Sequence, residues 1–137
     1  MAGLISTAAL AIVVIAAMYL LALGGAALVR PEYARQFLGA HATTRTLHFT
    51  ESGLRILAGA AFIITAPHAA FTPAFLLLGW VLVASSVALA IVPWRLHQRF
   101  AAWSVPQAMH YLPLIGVASI ACGLGLIAAV VLPRAAG

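Results

Sequence analysis

The chain has 137 residues, of which 65% are apolar and only 7% charged, against about half and a quarter in a water-soluble domain. That balance excludes a soluble globular fold. The net charge of +5 comes from seven arginines and no lysine, set against Glu32 and Glu51. The arginines stand between apolar runs rather than in the clustered basic surface that nucleic-acid binding requires, so they point to lipid headgroups and topology.

In chain order, the first apolar run extends from about Leu4 to Val29. It lacks the positive start of a secretory signal, since no basic side chain precedes Arg30, and it is longer than a signal's apolar core. It reads as the first membrane span. The connection that follows carries Arg30, Arg35 and Arg45. Within it, Pro31 to Leu38 opens with a proline and is closed by Gly39, the marks of a short helix. Tyr33 and Phe37 share one face of that helix, which places it at headgroup level with Tyr33 as an anchor.

The second span runs from about Leu47 to Ala66, and the third from about Pro73 to Val92. Thr72 before Pro73 looks like a cap followed by a proline whose missing N–H costs nothing. Next comes a segment in which Trp94, Leu96, Phe100 and Trp103 alternate with Arg95, His97, Gln98 and Arg99. This is a second interfacial piece, anchored by Trp94, Arg95, Arg99 and Trp103. Ser104 and Gln107 have capping-box spacing with Pro106 in the first turn. The fourth span is therefore expected from about Gln107 to Leu132, with a kink or ragged start at Pro113 and an end at Pro133. Each span is close to the roughly 20 residues that cross a bilayer. Their unbroken apolarity fits helices, not the alternation of a membrane barrel. The expectation is one all-α domain over residues 1–137, a four-helix transmembrane bundle with two short interfacial connections.

Arginines crowd the first and third connections and are absent from the second, Pro67 to Thr72. The positive-inside rule then puts the first and third connections in the cytoplasm and both termini in the periplasm, with Arg134 as a minor exception.

Chemistry-bearing residues are few. His48, Glu51, Ser52, Arg55 and Gly59 recur at three- and four-residue steps, so they share one stripe of the second span. A charge as deep as Arg55 is costly in lipid and calls for a partner or a wet cavity. Glu51, four residues earlier, has the spacing and order for an ion pair. That pair could do no more than neutralise Arg55, or it could belong to a polar pocket. Gln107, His110 and Tyr111 at the start of the fourth span are expected on the same side of the membrane, which would make them part of such a pocket. Two histidines on separate helices also raise a haem ligand pair. His48 and His110 sit near the interface rather than in mid-membrane, and no cofactor is expected. His41, His68 and His97 match no metal-binding spacing and carry no assigned role. Cys122 is single, so there is no disulfide and no CxxC pair. Ser52, Ser85 and Ser86 lack the glycines of a nucleophile elbow. With two carboxylates in the chain, no enzyme and no metal site is expected.

Small residues at four-residue spacing, Ala121, Gly125 and Ala129, with Gly59 on the second span, let helices approach closely, within the bundle or between subunits. The order Pro31, Phe37-Leu38-Gly39, then Glu51, Arg55 and Gly59 resembles small four-span bacterial membrane proteins grouped as a domain of unknown function, DUF4345, and more remotely the DoxX-like proteins. The likeness covers the first two spans. It implies four helices in a bacterial inner membrane and supplies no mechanism. Functionally, the sequence favours a non-enzymatic accessory subunit of a larger inner-membrane complex or a homo-oligomer, whose partners are the bilayer and other membrane subunits or itself. The alternatives are a small transporter or channel with a cytoplasmic polar pocket, and a haem- or quinone-binding redox subunit.

Overall fold

The computed structural model describes residues 1–40 and 44–132; His41, Pro133 and Arg134 lie outside the described residues. The described chain folds into six α-helices and one 3-10 turn, with no strand. These are α1 (Ala2–Val29), α2 (Pro31–Gly39), α3 (Arg45–Thr65), the 3-10 turn Ala66–His68, α4 (Thr72–Ile91), α5 (Trp94–His110) and α6 (Leu112–Val131). Four of them, α1, α3 with its 3-10 extension, α4 and α6, are long and apolar enough to cross a membrane. The protein is therefore an all-α, multi-pass membrane bundle.

One spacing rule builds the bundle. The buried positions are Ala9, Val13, Ala17, Gly24 and Ala27 on α1, and Leu112, Gly116, Gly123, Leu126 and Ala129 on α6. On α3 they include His48, Ser52, Gly59 and Phe62, and on α4 Phe75, Gly79 and Ser86. Steps of three, four and seven keep such residues on one helical face. Most are small, which suits helices that associate in lipid by close packing rather than by escaping water.

Two close crossings result. α1 packs mainly on α6, and α3 on α4, while α1 also packs against α3 and joins the two pairs. At the first crossing, a Cβ on Gly24 would meet the Gly116 carbonyl oxygen at 2.7 Å, and one on Gly123 would meet the Ala17 carbonyl oxygen at 2.9 Å. At the second, Gly59 and Gly79 each face the other's carbonyl oxygen at 2.8 Å from the missing Cβ. The apolar core joining all four spans includes Ala9, Val13, Phe62, Phe75, Leu126 and Ala129. The connection after α3 is tied to α6 by the Ala70 amide, which donates to the Ala129 carbonyl at 2.8 Å. Toward the α2 and α5 end there is a smaller core of Ala27, Ala34 and Leu112.

Three boundaries differ from the sequence expectation. The segment Ser104–Gln107 is not a helix start: α5 continues through it, with Pro106 inside, and stops at His110. Tyr111, at φ −95° and ψ 19°, makes the break, and Pro113 lies in the first turn of α6. The fourth span is thus Leu112–Val131, and Gln107, His110 and Tyr111 precede it. Thr72 is the first residue of α4 rather than its cap, and its hydroxyl donates to the Ala69 carbonyl.

Candidate functional site

The site forms where α3 begins. Thr44 caps the helix, its hydroxyl oxygen accepting from the Leu47 amide at 3.2 Å. One turn later His48 points inward and is only 2% exposed. Ser52, the next residue on that face, is also buried, and its hydroxyl donates to the His48 carbonyl at 2.9 Å. Ser52 lies seven residues before Gly59, and Ser86 seven residues after Gly79. Since Gly59 and Gly79 face each other and seven residues make nearly two whole turns, Ser52 and Ser86 occupy matching positions on the α3–α4 seam. Beyond the glycine crossing, the buried side chains of this seam are all polar: His48, Ser52 and Ser86.

His97 of α5 closes the end of the seam. Its ring lies 4.8 Å from that of His48, centroid to centroid, and His48 also meets Phe49 edge-on at 5.1 Å. Three buried atoms here, His48 Nε2, His97 Nδ1 and Ser86 Oγ, have no hydrogen-bond partner. Burial holds the His97 imidazole below its ordinary pKa of 6.5, and the neighbouring His48 adds to the effect. Glu51 pulls it upward and Arg55 pushes it down, both more weakly. An apolar groove of about 340 Å³ runs past the same imidazole, lined by Leu89, Val92, Leu96, His97 and Phe100.

Glu51 is half-buried and Arg55 is exposed on the outside of the bundle. Both act electrostatically on Tyr19 of α1 as well as on His97. Tyr19 in turn packs edge-on against Phe37 of α2 at 6.2 Å. The structure therefore gathers Tyr19, His48, Glu51, Ser52, Arg55 and His97 into one electrostatic neighbourhood.

Other sequence candidates lie elsewhere. Gln107, His110 and Tyr111 are exposed, and His110 rests edge-on against Tyr111 at 5.1 Å. Of the small residues, Gly59 and Ala129 are buried, whereas Ala121 and Gly125 are exposed, with nothing within 4 Å of a Cβ on Gly125. Tyr33, Arg95, Arg99 and Trp103 are exposed and Trp94 is half-buried. Arg30 stacks over Tyr33 at 5.9 Å and Arg45 over Phe49 at 5.7 Å. α5 buries no residue completely; Leu96, Phe100 and Trp103 form one exposed face, beside Arg95 and Arg99. That division is the pattern of a helix lying in the membrane interface.

Two residues of the neighbourhood, Tyr19 and His97, were not singled out from sequence. Tyr19 is the one hydroxyl-bearing side chain from Ala8 to Val29, which is the only local signal it offers. Chemically, the seam offers imidazoles and hydroxyls that can donate, accept or carry a proton. Among the described residues no three His, Cys, Asp or Glu side chains come together to hold a metal ion. The contact between the His48 and His97 rings leaves no space for a porphyrin between them. No family model, no curated protein and no solved structure matches this chain.

Proposed function

We propose that this protein is a non-enzymatic subunit of a bacterial inner-membrane assembly, either a homo-oligomer or a larger complex, in which a partner covers the outer face of α3. The observation that carries this reading is Arg55. It is the eleventh of the 21 residues of α3, about 15 Å from either end at 1.5 Å per residue. It is exposed, between exposed Leu54 and Ile56. A guanidinium at that depth costs about 2.5–3.5 kcal/mol on insertion scales, and such groups face protein or a wet cavity. A neighbouring subunit that offers a carboxylate or backbone carbonyls would remove that cost. Arg30, Arg35, Arg45, Arg95 and Arg99, at the α2 and α5 end, orient that end to the cytoplasm and both termini to the periplasm.

The test is native mass spectrometry of the protein taken from its own membrane in gentle detergent, beside Arg55→Gln. The expected result is a fixed stoichiometry, with itself or with other polypeptides, that Arg55→Gln loosens while the helical circular dichroism spectrum stays unchanged. A wild-type protein that is monomeric in every mild detergent and in nanodiscs refutes the reading.

A second reading, a small transporter with a cytoplasmic-side polar pocket, is favoured by the unpartnered polar atoms of the α3–α4 seam. It predicts flux in liposomes that Glu51→Gln abolishes without loss of fold. Undiminished flux in that variant would remove Glu51 from the pathway.

A further inference from the structure

The first turns of α5 lie beside an apolar groove at the edge of the bundle. At 3.6 residues per turn, half-buried His97, Ala101, Ser104 and Ala108 fall on one face of this helix, which is the face turned toward the bundle. Leu96, Phe100 and Trp103 are exposed on the neighbouring face, with the Phe100 and Trp103 rings 6.0 Å apart. The groove of about 340 Å³ opens where α4 ends, between Leu89 and Val92 on one wall and Leu96, His97 and Phe100 on the other. Exposed Arg95 and Arg99, four residues apart, share the outward flank of α5. Arg99 is about 40° around the helix from Trp103 and about 60° from Leu96.

Two guanidinium groups four residues apart on a helix repel each other, and α5 carries no carboxylate to offset them. The chemistry that completes such a face is an anion joined to a long apolar tail. We propose that this edge of α4 and α5 binds one anionic phospholipid. Its phosphate accepts N–H bonds from Arg95 and Arg99, whose planar forks match phosphate oxygens. One acyl chain runs past Leu96 and Phe100 into the groove, against Leu89 and Val92.

Charge selects the headgroup, and the groove fixes the position. A zwitterionic headgroup brings an ammonium that the two arginines repel; an anionic one brings none. α4 contributes no ionisable side chain, so nothing on the other wall reverses that preference. A basic segment attracts anionic lipid loosely wherever it lies on a membrane. The groove separates a bound lipid from that diffuse attraction, because it holds a chain as well as a head. A protein partner is the poorer occupant: it would have to match an apolar groove and two arginines on an interfacial helix, where lipid supplies both at once. Neither assembly nor transport is needed for such a site.

The experiment uses the full chain in phosphatidylcholine bilayers, with Trp103 kept as its sole tryptophan by Trp80→Phe and Trp94→Phe. Phosphatidylglycerol or phosphatidylcholine with brominated chains, which quench indole fluorescence on contact, is added at equal mole fraction. Brominated phosphatidylglycerol should quench Trp103 the more strongly. Arg99→Gln should lower that relative affinity about fivefold, and adding Arg95→Gln should lower it further. Val92→Phe, which fills the groove and keeps both arginines, should lower it as well. In a chain that keeps only Trp80, exposed near the middle of α4, the two lipids should quench alike. Equal quenching of Trp103 by both lipids overturns the proposal, as does protection from both, which would mean that protein covers this face. So does a preference undiminished by the arginine changes or by Val92→Phe, or one that Trp80 shows equally. The two arginines are exposed, so their variants and the two-lipid comparison decide the matter if Val92→Phe fails to fold.

Discussion

Gly59→Ala and Gly125→Ala add the same methyl group to two membrane helices and should have opposite effects. At Gly59 the new Cβ would lie 2.7 Å from Val83 Cγ2 and 2.8 Å from the Gly79 carbonyl oxygen. Carbon contacts are comfortable at about 3.5–4.0 Å, and a carbonyl in a helix cannot swing aside, so α3 and α4 must separate along their shared seam. Overpacking of this kind costs about 1–3 kcal/mol. At Gly125 nothing lies within 4 Å, so only the gain in helix propensity remains, about 1 kcal/mol. Both substitutions receive that gain, and it cancels in the comparison. The difference between them is therefore about 1–3 kcal/mol, or roughly five- to 150-fold in the folding equilibrium. Unfolding in mixed micelles of mild detergent and dodecyl sulfate, followed by tryptophan fluorescence and dilute enough to keep the chain monomeric, measures it. Equal midpoints for the two variants, or a lower one for Gly125→Ala, would show that the Gly59–Gly79 crossing is not where α3 and α4 meet.

Two further predictions concern the polar end. Thr44→Ala removes the hydroxyl that accepts from the Leu47 amide at the start of α3 and should cost about 1 kcal/mol in the same unfolding assay; an unchanged midpoint would mean that water caps the helix equally well. For His97, burial and His48 depress the folded-state pKa, so the unfolded chain takes up the proton at a higher pH than the folded one. Its contribution to stability is complete above about pH 6.5 and declines as pH falls toward the folded value. His97→Gln should flatten the curve of stability against pH in that window, and a slope identical to wild type would show that His97 titrates as it does in water.

The four spans were legible because apolar runs of membrane length have few other uses. The pairing of the spans was not. Ala121, Gly125 and Ala129 advertise a packable stripe, but Gly116 and Gly123 on the same helix form another, and the second is the one that meets α1. Spacing shows that a helix can pack closely without showing on which side. The start of the fourth span was misplaced for a related reason. Ser104, Pro106 and Gln107 satisfy the local rules for a helix start, yet the amphipathic pattern of α5 already ran through them, and the break falls at Tyr111, which carries no turn signal. His110 consequently lies outside the register of α6. Of the polar neighbourhood, His48, Glu51, Ser52 and Arg55 stood out because a single helix carries them at regular steps. Tyr19 and His97 join them only through tertiary structure, by the packing of α1 on α3 and the return of α5 over the seam.

The pairing of the first span with the last has a consequence for biosynthesis. Among the four spans, α1 is made before the others, but its main partner, α6, follows all of them. About eighty residues separate their facing ends, on the order of 4–16 s of synthesis at 5–20 residues per second. For that interval Gly24 and its neighbours wait in the bilayer without their mate, while α3 and α4, adjacent in sequence, can already close on each other. A chain terminated before Leu112 would keep the α3–α4 hairpin and leave α1 with the contacts it makes to α2 and α3. Such a product is a natural substrate for membrane quality control.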